Sequence, residues 1–313
     1  MKKTNVFFIM SVFAFFLFSC GGAETTSEST EKGKNTTEEE VVQADPPKSA
    51  EELRDIDKMD ENEIAEAENK DEVYRFSSSY SLNEFPMEVL EAKNLQTIEL
   101  NNYYGTTLPE ELKNLPNLQV LYISGGTKMT ELPAFLPELK NLKTFAITAA
   151  NTLDLNAAFK ILSQCENLEN VQITFSEVES ELPTEIGNME KLRVLDISNN
   201  QISVFPEEFF SLPNLYSLKI TSNEDYRYDY DMLFEKMVNL PKLERLAIYY
   251  SGLSGLPEVF NEYPVLNNIK WREEGADWAD SDKVTATTDK WNEKFPNIEI
   301  SWSTSSSLFY DMY

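Results

Sequence analysis

"LPNLQVLYIS", residues 115–124, decides how this chain is read, because the chain keeps rewriting it. "LKNLKTFAIT" stands at 139–148, "LPNLYSLKIT" at 212–221 and "LPKLERLAIY" at 240–249. Aligned on Leu-x-x-Leu-x-Ile, the phrases form eight trios. They are Leu95/Ile98/Leu100, Leu118/Leu121/Ile123, Leu142/Phe145/Ile147, Leu168/Val171/Ile173, Leu192/Leu195/Ile197, Leu215/Leu218/Ile220, Leu243/Leu246/Ile248 and Leu266/Ile269/Trp271. Successive starts differ by 23, 24, 26, 24, 23, 28 and 23 residues. Self-similarity at such a period is the signature of stacked repeats.

The last two apolar positions of each trio alternate, so they share one face of a strand. Most strands are followed by a second phrase: "LPEELKNL" at 108–115, "LPTEIGNM" at 182–189, "FPEEFFSL" at 205–212 and "LPEVFNEY" at 256–263. Apolar residues three and six positions after the Pro predict a short helical or 3₁₀ turn. One repeat buries about six large side chains, worth on the order of 10–15 kcal/mol. Ordering some two dozen backbones costs about 1–2 kcal/mol per residue. A lone repeat therefore stays unfolded, and stacking is required.

These phrases resemble the leucine-rich repeat family in its typical class. The resemblance covers residues 72–302 and implies a curved α/β solenoid. A parallel sheet would line the concave face, with short helices and 3₁₀ turns behind. About eight full repeats are expected, between N- and C-terminal caps. One departure is visible: the family's Asn at the strand end survives only as Asn200 and Asn223. Tyr103, Gly126, Ala150, Ser176 and Ser251 stand there instead. Those turns must satisfy their backbone groups in other ways.

The ends carry different signals. Lys2 and Lys3 precede the apolar run "VFFIMSVFAFFLF", 6–18. It is too short for a bilayer core and reads as a secretory signal, 1–19. "LFSC", ending at Cys20, resembles the lipobox of bacterial lipoproteins, which implies a lipid on the Cys20 thiol. Gly21 after it leans towards the outer membrane, on either its periplasmic or its surface side. Residues 20–48 are expected to form the lipidated Cys and a disordered acidic tether. Ser49 and Glu52 spell a capping box, so 49–76 reads as a helical cap with a first strand at "EVYRF", 72–76. Repeats fill 77–271, and a C-terminal cap and tail fill 272–313. In that cap, Trp291, Phe295, Ile298 and Ile300 are expected to close the core.

Composition narrows the chemistry. The formal net charge is −27, with 54 acidic and 27 basic side chains. Bulk affinity for nucleic acid is excluded on that ground. With no histidine, His-based catalysis and His-ligated metals are excluded too. Cys165 sits among apolar residues at helical spacing and reads as a structural thiol. No nucleophile elbow, phosphate loop or nucleotide fingerprint is present. No catalytic residues, metal or cofactor are therefore expected.

The residues between the buried strand positions point outward. Tyr122, Thr144, Ala146, Asn170, Gln172, Lys219, Arg245, Tyr249, Lys270 and Arg272 are expected to form a polar binding face with a basic end. That face suits a protein partner with an acidic surface. Tyr226, Tyr228 and Tyr230 lie in the longest spacing and are expected to form a contact loop. The alternatives are an adhesin or spacer that contacts glycan or cell wall, and a carboxylate-dependent hydrolase. The anchor is separately testable: Cys20→Ser should move the protein from the membrane fraction to the soluble fraction on differential centrifugation.

Overall fold

The computed structural model describes residues 46–221, 228–248, 253, 255–271 and 281–301. Among these, ten strands form one parallel sheet. In sheet order they are β1 (Arg75–Ser77), β2 (Thr97–Leu100), β3 (Val120–Ser124), β4 (Thr144–Thr148) and β5 (Asn170–Ile173), then β7 (Val194–Asp196), β9 (Ser217–Lys219), β10 (Arg245–Ile248), β11 (Asn268–Trp271) and β12 (Glu299–Ser301). A second sheet pairs β6 (Ser180–Glu181) with β8 (Ile202–Val204). The register pairs Ile98 with Leu121, Leu121 with Phe145, Phe145 with Val171, and onward. The repeated phrases therefore lie side by side, with their trios buried in one core.

A repeated backbone arrangement holds the strands in line. From β1 to β10 of this sheet, the carbonyl of the residue just before the strand accepts two successive N–H groups at the start of the next strand. Lys143 O receives Glu169 N at 2.8 Å and Asn170 N at 2.9 Å. Glu169 O receives Arg193 N and Val194 N, and Arg193 O receives Tyr216 N and Ser217 N. Side chains add a second ladder. Asn94, Asn141, Asn167 and Asn214 each donate to a carbonyl of the preceding repeat, at 2.7–2.8 Å.

At the far end of the strands the chain turns through left-handed backbone at Asn102, Gly125, Ala149, Phe175 and Asn199. The next residue holds the family's Asn place. Only Asn200 among the described residues fills it with that side chain: it accepts from Ser176 N at 2.8 Å and donates to Ile173 O at 2.7 Å. Elsewhere the turns find other partners. Ser176 Oγ donates to Leu153 O, and the Tyr103 hydroxyl donates to Thr107 O at 2.6 Å. Burial, with Glu84 nearby, pushes that phenol up to about 12. Gly126 and Ala150 use backbone alone, donating to Thr148 O and Thr174 O, each at 3.1 Å.

Helix content follows repeat length. Repeats spaced by 23 or 24 residues return through 3₁₀ turns such as Glu110–Asn114, Thr184–Asn188 and Glu207–Ser211. The 26- and 28-residue spacings each hold a true helix, α3 (Leu155–Leu162) and α4 (Tyr230–Met237). Asp154 and Asp229 cap them through their side chains. This corrects the expected contact loop. Tyr228 and Tyr230 are buried, and their hydroxyls donate to Asn200 O and Ile220 O. Their rings join a chain of aromatic contacts through Phe205, Phe234 and Phe260 to Phe295. Tyr226 lies outside the described residues, as do Cys20 and the 1–45 segment.

The caps follow from local chemistry. Ser49 and Glu52 make a reciprocal capping box at α1 (Ala50–Arg54), and Asp60 and Glu63 do so at α2 (Glu61–Glu66). The first strand starts at Arg75 rather than Glu72. Asn69 accepts from Asp71 N and begins a 3₁₀ turn over Lys70–Glu72, which takes up those residues. Met59 pairs with Phe76 alongside β1. At the other end, α5 (Ser281–Lys294) and β12 bury Trp291, Phe295, Ile298 and Ile300.

Asn200 tests the turn argument. Asn200→Ala removes partners from a buried N–H and a carbonyl, and should cost about 2–4 kcal/mol in urea unfolding.

Candidate functional site

The concave sheet carries two zones with opposite character. Parallel strands stand about 4.8 Å apart, so side chains in one row touch their neighbours. In the middle of the sheet that contact closes the surface. Ala146 and Val194 are buried together, with Tyr122 packed against them. Thr144 is buried and accepts from Asn170 Nδ2 at 3.0 Å. Gln172 donates to Asp196 Oδ2 at 3.1 Å, and Asp196 Oδ1 accepts from Ser198 N. Lys219 Nζ also binds Asp196 Oδ2 at 3.1 Å.

Thr144, Ala146, Gln172 and Lys219 were expected on an open face, and the structure corrects this. Asp196 is 1% exposed, so its ion pair with Lys219 belongs to the wall. The Lys219 charge is spent on that partner. Lys270 and Asn170 remain half-buried, and Arg245 is exposed. Tyr249 and Arg272 lie outside the described residues.

The second zone is the margin where the strands begin. A groove of about 400 Å³ crosses several strands there. Its lining includes Thr97, Val120, Thr144, Asn170, Val194 and Ser217 from the sheet, with Lys143, Glu169, Arg193, Tyr216 and Arg245 beside them. Ala50, Leu53 and Arg54 of the N-terminal cap also line it. Lys48 holds that cap segment down. Its N–H donates to Gln96 Oε1 at 2.8 Å, and its carbonyl accepts from Gln119 Nε2 at 2.7 Å.

The charges in the groove sort by partner. Arg75 donates to the carbonyls of Leu53 and Ile56 at the end of α1, a use that suits the helix dipole. Glu99 pairs with Lys58 at 2.7 Å. Among the described residues, no carboxylate lies within ion-pair distance of Lys143, Arg193 or Arg245. All three are exposed. Arg245 lies over the Tyr216 ring, 5.4 Å from its centroid. The groove is thus locally basic in an acidic chain.

The binding face expected from the sequence included Arg245 but not Lys143, Glu169, Arg193 or Tyr216. These sit one position before the strand-facing rows, and only the backbone ladder shows that they line up. Their shared place after the first Leu of each trio was the available signal. Cys165 plays no part here. It is buried, and desolvation pushes its thiol up to about 12.

Two family models match the chain. The family model described as "Leucine rich repeat" matches residues 166–224, and that described as "R13L1/DRL21 LRRs" matches 51–150. The chain is a leucine-rich repeat protein. It is 29% identical over 133 residues to human "Leucine-rich repeats and immunoglobulin-like domains protein 3", covering 42% of this chain and 12% of that protein. It is 24% identical over 182 residues to "Disease resistance-like protein DSC1" of Arabidopsis thaliana, covering 58% of this chain and 14% of that one. The chain therefore spans a small part of either relative. Among solved structures it is similar to internalin C2 from Listeria monocytogenes. The TM-score is 0.48 at 18% identity, covering 65% of this chain and 82% of that one. Leucine-rich repeat domains are typically protein-interaction modules.

The two zones of this leucine-rich repeat sheet predict different responses from neighbouring residues. Asp196→Ala should destabilise the protein by about 3 kcal/mol, because it breaks a buried pair. Arg193→Ala, three residues earlier and exposed, should stay within about 0.5 kcal/mol. Urea midpoints of the two variants provide the check.

Proposed function

We propose that the chain is a non-enzymatic binding module that holds a protein partner against its concave sheet. It is tethered through a lipidated Cys20 to the bacterial cell envelope, at the outer membrane. The observation that carries the binding reading is the groove at the strand-start margin. Successive repeats build it, its floor mixes Thr97, Thr144, Asn170 and Ser217 with Val120 and Val194, and exposed Lys143, Arg193 and Arg245 border it. Arg and Tyr are the usual carriers of interface energy, and Tyr216 and Arg245 stand together there.

A protein ligand suits this groove better than a glycan. A sugar platform needs open aromatic faces, whereas the groove lining holds one ring, Tyr216, which Arg245 already overlies. The anchor reading is carried by the sequence before residue 21. Among the described residues, no helix is long and apolar enough to cross a membrane.

Site-specific cross-linking tests the face. A photoreactive side chain at Tyr216 should give a discrete adduct in intact envelopes. The same group at Glu208, on an outer 3₁₀ turn, should give none. Equal labelling from both positions, or labelling from Glu208 alone, would remove the concave face from the proposal.

A further inference from the structure

One buried hydroxyl in the groove has nothing to bind. Ser217 opens β9 and is 3% exposed. Leu218 after it packs in the core, so Ser217 faces the other way, into the groove that it helps to line. Among the described residues its Oγ has no hydrogen-bond partner. Thr144, in the same row, has one, because Asn170 Nδ2 donates to its hydroxyl. A buried polar group left unpaired costs stability, and an orphan that faces a groove marks a place for a ligand atom.

The register sets the neighbours of that place. Ser217 pairs with Val194 of β7 on one side and with Arg245 of β10 on the other. At about 4.8 Å per strand, Arg245 starts directly beside the hydroxyl. Arg193 and Tyr216 stand one position earlier, before Val194 and Ser217. The Tyr216 ring is already covered by Arg245, 5.4 Å from its centroid, so the ring serves to hold the guanidinium rather than to meet a ligand. Among the described residues, neither Arg193 nor Arg245 has a carboxylate within ion-pair distance.

A hydroxyl beside guanidinium groups suits a carboxylate, whose two oxygens only accept. The flanks restrict the number of carboxylates. In the row before the strands, Glu169 stands beyond Arg193 and Glu244 beyond Tyr216. Glu244 accepts from Asn267 Nδ2 at 3.2 Å, a neutral donor that leaves its charge in place. Three strand spacings separate Glu169 from Glu244, about 14 Å, with Ser217 between them. Each repels a further anion on its own side, so a run of acidic residues is disfavoured.

We propose that Ser217, Arg193 and Arg245 form a subsite for one acidic side chain of the partner protein, flanked in the partner by uncharged residues. This rests on the binding-module reading and names the group that the groove recognises.

Titration of capped tripeptides into the full-length chain tests it, read by NMR from the Nε–H resonances of Arg193 and Arg245. Acetyl-Ala-Glu-Ala-amide should shift both resonances saturably, and the Gln analogue should not. Acetyl-Glu-Glu-Glu-amide carries more charge yet should bind several-fold more weakly. Ser217→Ala should weaken the single-Glu peptide about tenfold, while its urea midpoint does not fall, since the change removes an unpaired hydroxyl. Tighter binding of the triple-Glu peptide would overturn the proposal. So would binding indifferent to Ser217→Ala, which would leave the hydroxyl to water alone. If no peptide shifts the resonances while Tyr216 still cross-links a partner, the subsite fails and the binding-module reading survives. If Tyr216 cross-links nothing, that reading fails as well.

Discussion

Each strand in this protein depends on the next for its hydrogen bonds. The carbonyl before a strand has two acceptor positions, and the following strand fills both with successive N–H groups. The leucines behind are equally dependent: a trio such as Leu118, Leu121 and Ile123 is buried only because its neighbours lie on either side. A buried, unpaired backbone group costs about as much as a lost hydrogen bond. The stack therefore forms as a unit and must be closed at its ends. Met59 beside β1, and α5 with β12 beyond β11, provide the closures.

The same ladder decides what the surface offers. Because rows of side chains sit one strand apart, small or paired residues in the middle of the sheet cover one another. Asp196 gathers Gln172, Lys219 and the Ser198 N–H, so a row that looks charged in sequence is neutralised within the wall. At the strand-start margin the rows diverge from this pattern. Lys143 and Arg193 line the groove there and are exposed, with no carboxylate of the described residues within ion-pair distance.

Variation in repeat length is absorbed on the other side. The longer spacings add residues without disturbing the sheet, since α3 and α4 replace 3₁₀ turns behind it. Burying Tyr228 and Tyr230 there extends an aromatic chain towards the C-terminal cap. Residues that looked like a projecting loop thus serve the core, because a helix of that length needs an apolar face to dock.

The repeat, its register and the buried trios were legible in the sequence by itself, because apolar periodicity is a local property that each repeat restates. So were the Ser49–Glu52 capping box and the inert character of Cys165. The substitutions at the Asn place announced that Tyr103, Gly126, Ala150 and Ser176 would need other partners, but not which ones. Only the tertiary structure decided which outward residues stay open. Ala146 is covered by contact with residues of other strands, the Lys219 charge is met by Asp196 some two dozen residues away, and Lys143 aligns with Arg193 through a strand between them. Exposure and charge neutralisation are set by neighbours distant in the chain, and a reading taken one repeat at a time has no access to those neighbours.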